Sequence, residues 1–327
     1  MSDFWTGRNV FITGADGFVG SWLTKALVEK GANTTCLIRD ITPHGGLTLH
    51  KLNNKVAIVF GSVTDYTLLQ RILNEKKVDT CFHLAAQAIV SIANNSPLST
   101  FESNIKGTWV LLEACRNYKN ISRIIAASSD KAYGKHDKLP YSEEFSLLPI
   151  HPYEASKACS DILVRSYAQT YDLPVAVTRC ANTYGGGDLN FSRIIPDTIS
   201  SVLQNRNPII RSDGSPLRDY IYIEDIVNAY LVLAEKLDDR KNRGQAFNFG
   251  TGRPISVLDL VRRIIGISGK NSLKPLIKGK GELRGELDKQ YLSSKKAEKM
   301  LAWSARVPLE EGLLETINWY RRYFAKS

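Results

Sequence analysis

Short apolar runs alternate with amphipathic stretches through the first half of the chain. Val10-Phe11-Ile12 is a β-rich run that stops at Thr13-Gly14. Phe18, Val19, Trp22, Leu23, Ala26 and Leu27 then recur at helical spacing until Gly31 ends the pattern. Thr35-Cys36-Leu37-Ile38 is a second apolar run, so the opening unit reads β-α-β. The rhythm continues: strands over 55–60, 80–84, 123–127 and 175–178 alternate with helices over 66–74, 100–118 and 154–170. This alternation predicts an α/β fold, a doubly wound parallel sheet of Rossmann type.

Beyond Asn182 the pattern changes. YGGGD (184–188) is a glycine-rich loop, 194–204 is helical, and later segments are short and interrupted by Pro208, Pro216, Pro254 and Pro275. Residues 1–180 are therefore expected to form the dinucleotide-binding part. Residues 181–327 are expected to form mainly a smaller substrate lobe, with about 220–245 returning to the sheet.

With 327 residues, the chain is long enough for one large α/β unit and such a lobe. No apolar run approaches the roughly 18 residues of a membrane span. Met1-Ser2-Asp3-Phe4-Trp5 lacks the basic-then-apolar pattern of a signal peptide. Cys36, Cys81, Cys115, Cys159 and Cys180 show no metal-ligand spacing. They read as buried free thiols, which fits a cytoplasmic protein without a metal. The net charge is +10, yet no basic run is interleaved with aromatics, so neither a nucleic acid nor a membrane is an expected partner. The excess lies late, at Lys295-Lys296 and over 274–280, and reads as a solvated face, with a basic cleft for a small dianion as the second reading.

Thr13–Gly20, TGADGFVG, joins the first strand to the first helix. Gly14, Gly17 and Gly20 allow a tight turn and close approach of backbone to a pyrophosphate at the helix N-terminus, with Asp16, Phe18 and Val19 completing the loop. The second strand ends in Arg39-Asp40. An acid there suits a ribose 2′-hydroxyl and an arginine suits a 2′-phosphate, so NAD and NADP both stay open.

Tyr153 and Lys157 stand at i and i+4, on one face of a predicted helix. A tyrosine is a poor base at neutral pH unless nearby positive charge favours its phenolate. Ser129 ends the preceding strand, inside the stretch SSDKAYG (128–134). Asp130 and Lys131 in that stretch are either a surface pair or an acid and a base aimed at a substrate.

Together these features resemble the extended short-chain dehydrogenase/reductase family, specifically its nucleotide-sugar epimerases and dehydratases, over nearly the whole chain. Ser129, Tyr153 and Lys157 fall on that family's catalytic hydroxyl, base and partner. HLAAQ (83–87) matches the segment over the cofactor, which implicates Leu84, Ala85, Ala86 and Gln87. Gly61-Ser62 stands where the family often has Gly-Asp near the adenine, so Ser62 and Val63 join the implied cofactor site. Asn104 opens the matching helix segment, and Gln87 and Asn104 are implied substrate contacts. RCANTYGGGD (179–188) looks like the substrate loop, with Asn182 near the sugar diphosphate; LRDYIYIEDI (217–226) supplies Arg218 to the diphosphate. KKAEKMLAW (295–303) resembles the last motif.

The Ser-Asp-Lys triplet, the GGGD loop, RIIPD (193–197) and VPLEE (307–311) are most similar to the CDP-glucose 4,6-dehydratases within the family. That resemblance implies a tightly bound, recycled NAD or NADP and a nucleoside-diphosphate hexose as substrate. It implies Asp130 as the acid at the C6 hydroxyl and Arg193 beside Arg218 on the diphosphate; Lys131 is then either the base at C5 or only the ion-pair partner that fixes Asp130. It also implies a homodimer packed through 100–118 and 154–170. A 4-epimerase is the alternative, but it needs no acid or base at 130–131. A non-catalytic NAD(P)-binding protein is a third reading, disfavoured by the intact Ser-Tyr-Lys set.

Overall fold

The structure is a computed structural model that describes residues 4–40, 42, 44–279 and 287–325. Residues 1–3 of the N-terminal pentapeptide and Lys280 of the basic stretch lie outside the described residues.

Seven parallel strands form the central sheet in the order Ala246–Phe249, Val175–Cys180, Arg123–Ala127, Thr80–His83, Asn9–Thr13, Asn33–Ile38, Ala57–Phe60. The strand order reverses between Asn9–Thr13 and Thr80–His83, and ligands bind at the carboxyl ends of strands flanking such a point. Successive side chains point to opposite faces. Val10, Ile12 and Phe82 accordingly pack on one face, with Leu23, Leu27 and Ile226. Phe11, Cys81 and Ile124 pack on the other, with Leu69, Leu111 and Val164. Helices cover both faces, which is why the strands read as continuous apolar runs.

Three sequence expectations change. The single helix over 100–118 is a helical run of Pro97–Phe101, a π-helical turn Glu102–Lys106, and Gly107–Arg116. The π turn coincides with Asn104, whose carbonyl accepts hydrogen bonds from Thr108 Oγ1 at 2.6 Å and Ser160 Oγ at 2.8 Å. The return to the sheet extends past residue 245: the helix Ile223–Glu235 packs on one face through Ile226, and Ala246–Phe249 adds a buried edge strand next to Val175–Cys180. Cys159 is exposed rather than buried, on the outer side of the helix Pro152–Tyr171.

The second lobe is built from small pieces. Leu217–Arg218 pairs with Ile255–Ser256 and Lys289–Gln290, and Ile209–Ile210 pairs with Leu276–Ile277. Helices Ile194–Leu203, Val257–Ile267 and Leu309–Phe324 pack around them. No described helix is long and apolar enough to cross a membrane.

Candidate active site

A cleft of about 940 Å³ opens along the carboxyl ends of the strands and runs into the second lobe. Gly14, Gly17, Phe18, Val19 and Gly20 line one end of it. Gly14 has φ +73°, and a Cβ there would lie 2.7 Å from the backbone of Leu84 and Ala85; a Cβ on Gly20 would lie 2.1 Å from the Gly14 carbonyl oxygen. Only glycine lets the turn close this tightly. Gly17 caps the helix Phe18–Glu29 without any side-chain bond to its free N–H groups, so this helix start is open to an anion. The loop therefore fits a dinucleotide pyrophosphate.

Asp16 has a different placement. Its Oδ1 accepts the Leu47 N–H at 2.9 Å and its Oδ2 takes Thr42 Oγ1 at 3.4 Å, so it ties the glycine loop to the segment after the second strand. Arg39 and Asp40 pair with each other at 2.7 Å and are exposed. Ser62 bonds Thr64, and Val63 is buried under Gly107. Leu84 and Ala86 are on the cleft wall; Ala85 and Gln87 are not among its lining residues.

Asn104 is buried and likewise does not line the cleft. Its Oδ1 accepts the Gln87 N–H at 2.6 Å, and its Nδ2 donates to Gln87 O at 3.1 Å and Ser156 Oγ at 2.8 Å. The Gln87 side chain accepts the Ile89 N–H. The buried Asn104 amide thus clamps the backbone of the loop after the fourth strand to the helix Pro152–Tyr171, whereas the Gln87 side chain is half-buried and bonds only within its own loop.

Ser129, Asp130, Lys131, Tyr153 and Lys157 all line the cleft. Ser129 caps the short 3₁₀ turn Asp130–Tyr133 by accepting the Lys131 N–H, and donates its hydroxyl to Asp130 Oδ1 at 3.1 Å. Asp130 is 2% exposed, and its Oδ2 has no hydrogen-bond partner among the described residues. Burial pushes its carboxyl up to about 6, against the charge of Lys131 and the bond from Ser129. On the opposite element, His151 and Glu154 form a capping box that starts the helix Pro152–Tyr171 and so fixes Tyr153 and Lys157. Burial pushes the Tyr153 phenol up to about 12, opposed by its hydrogen bond with Ser129 and the charge of Arg193. Burial brings Lys157 down to about 8, and its Nζ donates to Ala127 O at 2.8 Å.

Asn182, Arg193 and Arg218 line the second-lobe end. Asn182 Nδ2 donates to Asp219 O, and Arg218 Nη1 donates to Leu217 O at 3.0 Å and Asp288 O at 3.3 Å. Arg193 Nη1 bonds Asp188 Oδ2 at 2.9 Å. Sequence reasoning missed Asp188, His151 and Arg211 on this wall. Asp188 alone carried a signal, as the acid closing the glycine run. Among the described residues no group of three or more His, Cys, Asp or Glu side chains could hold a metal ion.

The family of GDP-mannose 4,6 dehydratase matches residues 11–316. The chain belongs to this family. A trifunctional UDP-glucose 4,6-dehydratase/UDP-4-keto-6-deoxy-D-glucose 3,5-epimerase/UDP-4-keto-L-rhamnose-reductase of Arabidopsis thaliana is 31% identical over 96% of this chain, which spans about half of that protein's length (47%). Two solved structures share the fold closely. UDP-glucose 4-epimerase of Thermotoga maritima, with UDP-glucose, has a TM-score of 0.88 at 30% identity, covering 96% of this chain and 99% of that one. dTDP-glucose 4,6-dehydratase of Bacillus anthracis, in complex with NAD, has a TM-score of 0.83 at 26% identity and covers 97% of each chain. The Arabidopsis thaliana and Bacillus anthracis dehydratases are each named for a nucleoside-diphosphate glucose.

Proposed function

We propose that this chain is a cytoplasmic 4,6-dehydratase of a nucleoside-diphosphate hexose, with NAD bound at the glycine loop. The observation that carries the reading is Asp130: a carboxyl buried at the cleft wall, one oxygen unpartnered, held beside Ser129 and Lys131 and across from Tyr153. A 4-epimerase uses a hydroxyl, a tyrosine and a lysine. It has no task for a buried acid with an elevated pKa, and such a group marks a functional site.

Each residue then has one task. Tyr153 takes the proton from the C4 hydroxyl while Ser129 hydrogen-bonds its phenol. Oxidised NAD, when bound, supplies the acceptor for the C4 hydrogen, the return of that hydrogen to C6, and a positive charge that favours the Tyr153 phenolate. The 4-ketone acidifies C5–H, and Lys131 takes that proton when its amine is uncharged, becoming the ammonium. Asp130 donates its own proton to the C6 hydroxyl, which leaves as water. With a pKa near 6, Asp130 retains a protonated fraction at neutral pH that an ordinary aspartate lacks. Arg193, Arg218 and Asn182 hold the diphosphate; guanidinium suits it because its donors match phosphate oxygens.

NAD is preferred to NADP because Asp40 faces Arg39 at 2.7 Å and neutralises the guanidinium that a 2′-phosphate would need. The CDP-glucose likeness rests on the Ser-Asp-Lys triplet and the GGGD loop, and makes CDP-glucose the first substrate to try. Two copies pair through the outer faces of Gly107–Arg116 and Pro152–Tyr171, which leave Trp109 and Ile162 exposed. Mass spectrometry of the product from CDP-, UDP-, dTDP- and GDP-glucose tests the reaction class. A product lighter by one water supports the dehydratase; an isomer of unchanged mass from any of them, with no dehydration, replaces it with the epimerase.

A further inference from the structure

Asp188 is almost fully buried, at 4% exposure, although it carries a carboxylate. A buried charge is retained only where it is paired and hydrogen-bonded. Its Oδ2 takes Arg193 Nη1 at 2.9 Å, and its Oδ1 takes the Asn190 N–H at 3.2 Å. Arg193 is not buried in return: 39% of its side chain is exposed, and it lines the cleft. Among the described residues its remaining guanidinium donors, Nε and Nη2, bond to no other group. The pair is thus one-sided, with the acid fixed in the protein and the base presented to the cleft with donors to spare.

The acid itself has no slack. Tyr320, fully buried on the C-terminal helix, donates its hydroxyl to the Asp188 carbonyl. Two residues earlier, Trp22 of the first helix donates Nε1 to Gly186 O at 2.7 Å, and a Cβ on Gly186 would lie 2.3 Å from Trp319. The glycine run is glycine because the loop is pressed between the helix at the cofactor loop and the C-terminal helix.

We infer that Asp188 is a positioning residue: anchored by Tyr320, it holds the Arg193 guanidinium so that its free donors meet the diphosphate of the substrate. This rests on the assignment of Arg193 to that diphosphate. A second consequence is that the C-terminal helix, far along the chain, sets substrate affinity through one hydroxyl.

Calorimetry of the NAD-loaded enzyme with CDP, UDP, dTDP and GDP, and with the matching monophosphates, tests it. Arg193→Ala weakens the tightest diphosphate. Asp188→Asn weakens it about 10-fold, and in the Arg193→Ala background adds nothing, as two residues acting through one contact must. The monophosphate is weakened much less, whereas a collapsed loop weakens both alike. Tyr320→Phe removes only the hydroxyl, keeps the helix packing, and lowers diphosphate affinity about 3-fold, which covers the case in which Asp188→Asn fails to fold. If Arg193→Ala weakens binding while Asp188→Asn and Tyr320→Phe do not, or if their effects add to it in full, the inference is wrong and the Arg193 assignment stands. If Arg193→Ala changes nothing, or no diphosphate binds, the assignment falls and the inference with it.

Discussion

Arg179 and Asp161 form a two-pronged ion pair, Nε and Nη2 to the two carboxylate oxygens at 2.8 Å each, with neither side chain open to solvent. The third arm of Arg179 donates to Tyr133 OH at 2.8 Å, and Tyr133 OH donates to Asn248 Oδ1 at 2.7 Å. Tyr133 closes the turn that begins with Asp130, and Asp161 lies one turn beyond Lys157 on the same helix. This buried pair therefore locks the two halves of the candidate catalytic set to each other. Removing one partner leaves an uncompensated charge, which costs about 3–5 kcal/mol. Asp161→Asn should lower unfolding free energy by that amount in urea titrations, with an unchanged m-value if two-state behaviour is kept. A loss below about 1 kcal/mol would mean that Arg179 finds water or another acceptor.

Asp130 gives a prediction of opposite sign. Its folded pKa, about 6, lies above the ordinary carboxyl value of 3.8. The stability it contributes is present below pH 4 and is lost as pH rises through 6. Each pKa unit is worth about 1.4 kcal/mol, so the fold carries a penalty of roughly 3 kcal/mol above pH 7. Asp130→Asn should abolish dehydration yet raise stability by about 2–3 kcal/mol at pH 8, and change it little at pH 4. Equal effects at the two pH values would show that the carboxyl titrates normally.

The proposed preference for NAD turns on Asp40. Its pair with Arg39 is exposed on both sides, 74% and 65%, so it adds little to stability. Asp40→Ala removes the acceptor for a ribose 2′-hydroxyl and releases Arg39. One charge-assisted contact is worth roughly 1.5–3 kcal/mol, so NAD should bind at least about 10-fold more weakly. NADP should bind more tightly in the same variant. Fluorescence titration with both cofactors checks this; parallel losses for the two would rule out the role given to Asp40.

The sequence made the layered architecture legible because buried parallel strands are continuous apolar runs and their helices are amphipathic. It missed Ala246–Phe249 as a strand because four residues at a sheet edge, one of them Asn248, present too short a run. It read one unbroken helix over 100–118 because a π turn leaves composition unchanged. Ser129, Tyr153 and Lys157 were singled out by spacing and strand-end placement, and the fold brings all three to the cleft wall. The structural task of the Asn104 side chain was not legible, because an amide's partners are invisible in sequence; here they are the Gln87 backbone and Ser156. Asp188 escaped notice because its pair with Arg193, five residues on, lies in an irregular loop with no periodic spacing, and its tether to Tyr320 joins segments 132 residues apart.

The most direct test of the proposed reaction follows one hydrogen. A nucleoside-diphosphate glucose deuterated at C4 and at C5 is converted in ordinary water, and the product is read by NMR. A dehydratase recycling its cofactor places the deuterium at C6, and solvent hydrogen appears at C5 through Lys131. Deuterium retained at C4, with inverted configuration there and no solvent hydrogen at C5, would contradict the account.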